Sequence, residues 1–538
     1  MRVPARLVRA VTPPPVVTDP DALAAVREDA SRYTGTGAKS LVRPGSEEEV
    51  AAALRAAAAD GVPVLAIGAQ SSLTGGSTPF GDRVIATDAL AELSAIEGDA
   101  VWCGPGVRLD RLRAQLAPAG WDYPPVPTYQ LACLGGTVAT NAAGSATFKY
   151  GVTRDWVRAL RVLTVEGELL EVERGQYVAR AGDAFEIAGR HVPVPDYPWP
   201  RVKKCAMGYH SAPEVDLIDL FIGSEGTLGV VTGVKIGLSR APAAVLAALI
   251  FTRDEAGAVE LAAALRRTSE DTRAGVPGSA LDVRAIEHMD GASLDLVRAR
   301  GFVERLRVPL PPDARMALYC EIELPAALPD DRILEVLAAT LEGRDAGAGA
   351  GAGGAAAAQL FALLRDRALL DRLELALPGE PSRLTAFREF REAVPMAVNE
   401  TIRERQQRDP AIYKLGGDMC VPFECFGELL EAQRRELESR GLEHVIFGHI
   451  SDGNVHPNVL ARTAAEMGAG THALLAIAKR VSALGGAPLA EHGVGRSPMK
   501  QVMLAAHHGP AAMARMRGIK SALDPAWRLA RGVLFPAP

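Results

Sequence analysis

The sequence lacks the features that mark several large classes of protein. It has no run of about 18 apolar residues, so we predict no membrane-spanning segment. It also has no long basic stretch, and its 59 basic and 65 acidic residues give a net charge of -6. Nucleic acid is therefore not an expected partner. Hydrophobic residues make up 48% of the chain and charged residues 23%, which excludes a disordered scaffold.

Cysteine is scarce as well, and its spacing excludes several kinds of site. No two cysteines form C-x-x-C, so neither a zinc ribbon nor an iron–sulfur cluster is expected. A disulfide framework is not expected in so long a chain, and we predict reduced thiols in a cytoplasmic protein. Arg6 and Arg9 interrupt the apolar stretch that a secretory signal needs. The predicted location is the cytoplasm, with peripheral attachment to the inner membrane as an alternative.

The order of sequence patterns indicates how the chain is organised. Its 538 residues are enough for two or three domains. A capped helix that ends before Gly61 is followed by an apolar strand at residues 62–67, and similar alternation continues, which indicates an α/β or α+β fold. The pattern changes near residue 240, where we place a domain boundary. Residues 346–357 are a Gly/Ala stretch of low complexity, which we interpret as a mobile linker.

Three glycine-rich segments occur before that boundary. Loops of Gly, Ser and Thr present several backbone N–H groups to one point, and such nests bind phosphate. Neither the G-x-G-x-x-G fingerprint of dinucleotide-binding folds nor the G-K-[ST] of a P-loop is present. The segments therefore favour a nucleotide-like ligand held by a different fold. They are GAQSSLTGG (68–76), LGGTVATNAAG (134–144) and FIGSEGTLGVVTGV (221–234).

Two histidines flank a predicted turn near the C-terminal end of the chain. If Asp452 and Gly453 are the central residues of a two-residue hairpin, His449 and His456 lie directly opposite each other. Their Cβ atoms would then be roughly 5 Å apart on one face, which lets two imidazoles bind one metal ion. Asn458 would share that face because side chains alternate along a strand.

Further residues fit the same interpretation. Pro457 would point to the other face and suggests that its strand lies at a sheet edge. Glu491 follows later in the chain and supplies a carboxylate. Two histidines and one glutamate leave an open coordination position, the pattern of a catalytic zinc site. Manganese and iron remain open, since nitrogen and oxygen ligands discriminate poorly between these metals.

Beside these patterns, the order of several motifs carries a resemblance to a known family. The chain resembles the flavoprotein family of vanillyl-alcohol oxidase and p-cresol methylhydroxylase, from about Pro44 to Leu534. The later motifs FGHISDGNVHPN, AEHGVG and IKSALDP are similar to its D-lactate and D-2-hydroxyglutarate dehydrogenase branch. The earlier motifs occur in the order SLVRPGSEEEV, GAQSSLTGG, GPGV, LGGTVATNAAG, KYGVTRD and GSEGTLGVVT.

The resemblance implies a fold and a cofactor. The implied fold is α+β, with an N-terminal FAD-binding domain of two α+β subdomains and a C-terminal cap whose antiparallel sheet is covered by helices. The corresponding regions are an N-terminal extension (1–40), the FAD-binding domain (41–240) and the cap (241–538). FAD is expected to be non-covalent, because the first loop holds no histidine or cysteine for attachment, although Cys133 lies nearby in sequence.

The family's motifs also imply which residues contact FAD. These residues fall in the three glycine-rich segments. Two departures from the family pattern are Ala69-Gln70 in place of Gly-Gly and Ala530-Arg531-Gly532 in place of Asn-Pro-Gly. The implied FAD contacts are Gln70, Ser71, Ser72, Leu73, Thr74 and Gly75, then Gly135, Gly136, Asn141 and Gly144, and finally Glu225, Gly226, Gly229 and Val231.

The resemblance assigns chemistry to the remaining residues. The branch uses His449, His456 and Glu491 as metal ligands and the next residue, His492, as the general base. Arg391 and Lys414 match the pair that binds the substrate carboxylate, and we place Asn458 beside them. A threonine that assists this pair in the branch is replaced here by Pro395. Without the resemblance, Arg391 would be interpreted as an exposed charge on a helix.

The predicted function is FAD-dependent oxidation of a D-2-hydroxy acid to the 2-oxo acid, with hydride passing to flavin N5. Lactate, glycolate and 2-hydroxyglutarate are all open as substrates. A quinone, a cytochrome, an electron-transfer flavoprotein or oxygen is open as the electron acceptor, and a homodimer is open as the assembly. Two alternatives are a metal hydrolase that uses the His/His/Glu site and a flavin-binding subunit that lacks its own chemistry.

Overall fold

The computed structural model describes residues 1–344 and 351–537. The chain divides into two compact units. The first is formed by residues 1–144, 151–240 and the segment from Ala487 on, and the second by 145–150 and 241–486. The sequence placed all of 241–538 in one cap domain, whereas the structure joins the C-terminal segment to the first unit. There Val64 pairs with this segment, donating to Arg528 O at 2.7 Å and accepting from Ala530 N at 2.8 Å.

The secondary structure alternates along the chain as the sequence patterns predict. The last helix is interrupted by a non-helical residue, Gly509, with φ 73°. The helices are α1 (Pro20–Ala24), α2 (Glu47–Ala59), α3 (Leu109–Leu116), α4 (Leu134–Thr140), α5 (Thr147–Tyr150), α6 (Thr153–Trp156), α7 (Ile218–Phe221), α8 (Glu255–Arg273), α9 (Gly291–Ala299), α10 (Phe302–Leu306), α11 (Asp330–Leu341), α12 (Gly351–Arg365), α13 (Pro381–Arg408), α14 (Phe426–Glu438), α15 (Ala464–Ala483) and α16 (Pro498–Leu523). The strands are β1 (Arg2–Val3), β2 (Arg6–Leu7), β3 (Ser40–Val42), β4 (Val64–Ile67), β5 (Arg83–Ala86), β6 (Ala100–Cys103), β7 (Trp121–Asp122), β8 (Val157–Leu163), β9 (Glu168–Glu173), β10 (Val178–Arg180), β11 (Ala184–Ile187), β12 (Arg190–Pro193), β13 (Glu214–Asp216), β14 (Val230–Gly237), β15 (Ser239–Arg240), β16 (Ala244–Thr252), β17 (Asp282–Asp290), β18 (Met316–Leu324), β19 (Leu373–Ala376), β20 (Leu415–Gly416), β21 (Met419–Cys420), β22 (His444–His449) and β23 (Asn454–Val459).

Two sheets of the first unit are formed largely by the predicted FAD-binding region. One is a parallel sheet of order β3-β5-β4, against which α2 packs. Ser46 caps α2 by accepting a hydrogen bond from Glu49 N at 3.2 Å, and Val50 and Leu54 on its inner face are fully buried. The other sheet has the order β2-β9-β8-β14-β6 and is antiparallel. The predicted N-terminal extension contributes strands, since β1 pairs with β11 and β2 with β9.

The second unit is built on an antiparallel sheet, as the resemblance implied. Its order is β19-β16-β18-β17-β22-β23-β20, and β21 also pairs with β23. Helices α8, α9 and α13 pack against its strands. Apolar residues of β18 such as Leu318 and Ile322 are buried on one face, while Tyr319, Glu321 and Glu323 alternate with them. The sheet therefore has one polar face, on which charged side chains gather.

The low-complexity segment shows one disagreement between sequence and structure. Residues 351–357, the larger part of the predicted linker 346–357, form the first turns of α12, and residues 346–350 lie outside the described residues. Ala356 and Ala357 are fully buried, and α12 packs against α11 and α8. The linker prediction is wrong for this part because alanine has high helix propensity and small side chains allow close helix packing.

No helix within residues 1–344 and 351–537 has the length and apolarity needed to cross a membrane. None of the six cysteines forms a disulfide within these residues. Burial raises the pKa of Cys103 to about 12, which keeps this thiol protonated and inert.

Candidate active site

The first glycine-rich segment forms a tight loop after β4. Gln70 has a φ of 48°, and its side chain ties the loop to its surroundings by donating to Val26 O at 3.0 Å and Ser77 O at 2.9 Å. Ser72 Oγ accepts from the backbone N–H groups of Thr74 and Gly76 at 3.2 and 3.3 Å. The side chains of Gln70 and Ser72 therefore shape the loop, and a bound phosphate would be contacted mainly by backbone.

The backbone donors of this loop fit an anionic cofactor. Within the described residues, the N–H groups of Ser71, Ser72 and Leu73 donate to no protein acceptor. Backbone N–H groups without a protein acceptor are available to an anion such as a pyrophosphate. Thr74 is buried, whereas Leu73 is 43% exposed. The contact of this loop with the pyrophosphate of FAD stays a prediction.

The second and third segments lie against each other in the first unit. Glu225 N donates to Ala139 O at 2.7 Å, and Gly223 N donates to Val138 O at 3.0 Å, so the third segment packs on α4. Asn141 ends α4 in the left-handed region, and its Oδ1 accepts from Arg154 N at 2.9 Å.

The predicted FAD glycines of the second and third segments divide into two groups. A Cβ at Gly135 would lie 2.5 Å from Pro105 Cβ, at Gly144 2.1 Å from Val126 O, and at Gly229 2.4 Å from Val162 Cγ1. Packing of the protein itself requires glycine at these three positions. At Gly136 and Gly226 a Cβ would meet no protein atom within 4 Å. These two positions leave room that a flavin nucleotide can fill.

The turn after His492 is joined to the same loops. Glu225 accepts hydrogen bonds from Val494 N and Gly495 N, each at 2.8 Å. Arg496 N donates to Thr74 O at 3.0 Å. The first unit therefore brings the first and third glycine-rich segments together with the turn that carries the predicted base. The sequence assigned Glu225 to FAD, and the structure places its carboxylate on this turn.

Glu491, the predicted carboxylate ligand, has a partner that the sequence did not reveal. Lys204 Nζ lies 2.7 Å from Glu491 Oε1, and the two side chains are 0% and 7% exposed. Burial without a counter-charge would be costly for either group, and each supplies the opposite charge that the other needs. Lys204 lies in an irregular segment of the chain, where no periodic pattern marks it as buried.

In the second unit, the predicted histidine hairpin forms with a different register. His449 pairs with Asn454 and Phe447 pairs with His456, so His449 and His456 are not directly opposite. The turn spans Ile450 to Gly453, with Gly453 N donating to Ile450 O at 3.1 Å. The predicted two-residue turn is wrong because the chain makes a four-residue loop that ends in Gly453.

Glycine is required at the end of this loop. Gly453 has a φ of 74°, and a Cβ there would lie 2.1 Å from Val421 O. The observed strand register differs from the predicted one by two residues. A register shift of two keeps the same side chains on the same face of the sheet. The rings of His449 and His456 accordingly remain neighbours, with centroids 5.3 Å apart at 90°.

Pro457 does not mark an edge strand, contrary to the prediction. Its strand β23 lies between β22 on one side and β20 and β21 on the other. The β20–β21 side is interrupted beside Pro457, where Gly417 N donates to Pro457 O at 2.8 Å. The missing N–H of proline therefore costs no ladder hydrogen bond.

One buried glutamate joins His449 to Arg391. Glu287 Oε1 lies 2.5 Å from His449 Nδ1, and Glu287 Oε2 accepts from Arg391 Nε at 2.6 Å. All three residues are at least nine-tenths buried. A carboxylate at Nδ1 fixes the imidazole so that Nε2 presents its lone pair, which is how metal-binding histidines are oriented. Arg391 is therefore not the exposed helical charge that its sequence alone suggested.

His456 has a similar arrangement. Its Nδ1 lies 3.5 Å from Oδ1 of the buried Asp418, which also accepts from Asn454 Nδ2 at 3.2 Å. The two imidazoles thus share a face and each has a carboxylate on its Nδ1 side. This donor set fits a divalent metal ion bound through the Nε2 atoms.

The other predicted substrate residues occupy different environments. Asn458 is buried, and its Nδ2 donates to His456 O at 2.9 Å. Lys414 is exposed and immediately precedes β20. Glu287 and Asp418 were missed by the sequence reasoning. Strand β17 reads DVRAIEHMD and holds several charged residues, so no local pattern singles out Glu287.

Comparison with known families identifies the class of protein. Residues 38–173 match the family model described as FAD binding domain. Residues 260–534 match the model described as FAD linked oxidases, C-terminal domain, and cover half of the chain. The chain is an FAD-dependent oxidoreductase. It belongs to the family of FAD-linked oxidases, which confirms the expected flavoprotein family and cofactor.

Individual relatives cover nearly the whole chain. D-2-hydroxyglutarate dehydrogenase of Stutzerimonas stutzeri (strain A1501) is 26% identical, over 98% of this chain and 97% of the relative. D-lactate dehydrogenase of Anaerostipes hadrus is 27% identical, over 90% of this chain and 87% of the relative. A solved structure of alkyldihydroxyacetonephosphate synthase has a TM-score of 0.60 at 14% identity, over 98% of this chain and 88% of that one. This last similarity shows the fold alone.

Proposed function

We propose that this protein oxidises a D-2-hydroxy acid to the corresponding 2-oxo acid. One observation carries the proposal: Glu225 and Thr74 hold the turn that follows His492 against the glycine-rich loops of the FAD-binding unit. A base next to a flavin is the arrangement that alcohol oxidation requires, since the hydroxyl proton and the Cα hydride both leave. The relatives named as D-2-hydroxyglutarate and D-lactate dehydrogenases support this class of substrate.

In the proposed mechanism, bound FAD supplies the hydride acceptor. His492 accepts the hydroxyl proton while hydride leaves Cα, and the two electrons of the O–H bond form the new carbonyl. The guanidinium of Arg391 binds the substrate carboxylate with its Nη groups, since its Nε is held by Glu287. Lys414 adds a second positive charge for the carboxylate. Asn458 lies on the same strand as His456.

We further propose that His449, His456 and Glu491 hold a divalent metal ion, with zinc as the first choice. The metal would supply Lewis acidity toward the substrate hydroxyl. The carboxylates of Glu287 and Asp418 at the two Nδ1 atoms support this assignment. Lys204 supplies a positive charge beside Glu491, which favours the carboxylate form that a metal ligand needs.

The two alternatives from the sequence gain less support. A hydrolase has no use for the FAD-binding domain that residues 38–173 match. A subunit without chemistry would not need Glu287 and Asp418 to orient two buried histidines. A quinone, a cytochrome, an electron-transfer flavoprotein and oxygen all stay open as the electron acceptor. The homodimer stays a proposal.

An anaerobic substrate panel tests the function. The FAD-loaded protein is mixed with D- and L-enantiomers of lactate, 2-hydroxyglutarate and related acids, and flavin absorption near about 450 nm is followed. We expect bleaching with D-enantiomers alone. Arg391→Lys should lower kcat/KM strongly with the best substrate. Lysine keeps the positive charge but cannot bind a carboxylate through two parallel N–H groups, as a guanidinium does. Absence of bleaching with every 2-hydroxy acid would refute the proposed function.

A further inference from the structure

A second arginine lies beside Arg391 on the same helix. Arg388 precedes it by three residues in α13, and residues three apart on a helix are neighbours with Cβ atoms about 5–6 Å apart. Arg388 Nε donates to Glu321 Oε1 at 2.8 Å, as Arg391 Nε donates to Glu287 Oε2 at 2.6 Å. The two arginines are thus anchored in the same way, each by Nε on a carboxylate of the sheet.

The two anchoring carboxylates lie on neighbouring strands. Glu287 in β17 pairs with Tyr319 in β18, and Glu321 is two residues further along β18 on the same face. Such diagonal positions are separated by about 7–8 Å. Two guanidinium groups held from these positions lie at a spacing that suits the two ends of a four- or five-carbon dicarboxylate.

Glu321 is held rigidly. It is 7% exposed, and besides Arg388 it accepts from Arg284 Nε and from the Tyr319 hydroxyl, each at 2.5 Å. Burial alone would raise the pKa of Glu321, but Arg284 and Arg388 outweigh it and lower the pKa to about 2. Glu321 is therefore ionised at neutral pH and pre-positions Arg388.

Arg388 is also accessible. Its side chain is 48% exposed, compared with 10% for Arg391. Because Nε makes the contact with Glu321, the Nη groups can reach a ligand. A fixed and accessible guanidinium is suited to bidentate recognition of a carboxylate.

The ion pairs around Glu321 carry an excess of positive charge. Among the described residues that form these connected ion pairs, cations outnumber carboxylates by one. These residues are Lys149, Arg273, Arg284 and Arg388 against Asp282, Glu321 and Glu323. Glu392, which interacts with Arg388 and Arg391, offsets part of this excess.

We propose that Arg388 binds a second carboxylate of the substrate, which makes it a specificity-determining residue for D-2-hydroxy dicarboxylic acids. The inference rests on the proposed function, in which Arg391 binds the first carboxylate. It predicts a preference for D-2-hydroxyglutarate or D-malate over D-lactate.

The test compares Arg388→Gln with the wild type on a diacid and a monoacid. We expect kcat/KM for D-2-hydroxyglutarate to fall about 10- to 100-fold, the value of a charge-assisted hydrogen bond, mainly through KM. The value for D-lactate should change less than about twofold, since no group of lactate reaches Arg388. Arg388→Lys should recover part of the loss because it restores the charge.

Arg383→Gln is the matched control. Arg383 is on the same helix and is also ion-paired, but with Glu374 of β19. The Arg383→Gln variant should leave the ratio of kcat/KM for D-2-hydroxyglutarate to kcat/KM for D-lactate unchanged. Equal losses on both acids in Arg388→Gln would mean a purely structural ion pair and overturn the inference. Wild-type oxidation of D-lactate with no preference for a diacid would also overturn it while leaving the proposed function intact.

Discussion

Nδ1 of His449 lies 2.5 Å from Oε1 of Glu287, and the other oxygen of this carboxylate accepts from Arg391. A single buried glutamate thus orients one predicted metal ligand and the predicted carboxylate-binding arginine. The geometry of both groups depends on a residue that need not touch either the metal or the substrate.

The first prediction concerns Glu287→Gln. We expect metal affinity to fall about 10- to 100-fold, because the imidazole of His449 loses the carboxylate that sets its tautomer. FAD content should be retained, since the predicted FAD contacts lie in the other unit. Competition with a chelating dye measures the dissociation constant for Zn²⁺. Glu374→Gln, which removes a carboxylate at a distant ion pair, is the control. An unchanged dissociation constant in Glu287→Gln would remove the orienting role.

The second prediction concerns the buried pair of Lys204 and Glu491. Lys204→Met should destabilise the metal-free protein by about 3–5 kcal/mol, because the buried Glu491 loses the positive charge that lies 2.7 Å from it. If Glu491 is a metal ligand, added Zn²⁺ should raise the melting temperature more in this variant than in the wild type. Equal shifts in both proteins would contradict Glu491 as a ligand.

Third, FAD should be bound tightly but without a covalent bond. The first glycine-rich loop offers backbone N–H groups but no histidine or cysteine for attachment. Precipitation with acid should release the yellow colour into the supernatant. Colour that stays in the denatured pellet would show a covalent link, and Cys133 would then be the first residue to replace.

The fourth prediction concerns the pH dependence of stability. Burial raises the pKa of Glu225 to about 7 from 4.5, although Val494 N and Gly495 N act in the opposite direction. Between these values the folded protein holds a proton that the unfolded chain has released. The contribution of Glu225 to the free energy of unfolding therefore decreases as pH rises from 4.5 to 7.

Glu225→Gln cannot titrate and isolates this contribution. The melting temperature of the wild type should fall relative to that of the variant as the pH rises across the window. Differential scanning calorimetry at the two ends of the window measures the change. A constant difference between the two proteins would mean that Glu225 does not titrate there.

Fifth, His492→Ala should retain FAD and metal but reduce flavin far more slowly. A positioned general base contributes about 10²–10⁴-fold, and the loss should appear in kcat rather than KM. Anaerobic stopped-flow measurement of flavin reduction gives the rate directly. If the variant loses its metal, His492 is a ligand and the base must be another residue.

The sequence by itself determined the class of fold, the positions of the three glycine-rich loops and the shared face of His449 and His456. Each of these depends on local chemistry. Glycine and hydroxyl residues define a nest within a few positions, and side-chain alternation survives a register shift of two residues. The order of the motifs then indicated the family.

Only the tertiary structure decided the hairpin register and the partners of the charged residues. The register depends on Gly453, which must pass close to Val421 O, just after β21. Glu287 lies 162 residues from His449 and 104 from Arg391, and no local pattern links them. Ion pairs inside a protein form wherever folding removes two charges from water together, so their partners are set by packing and not by sequence spacing.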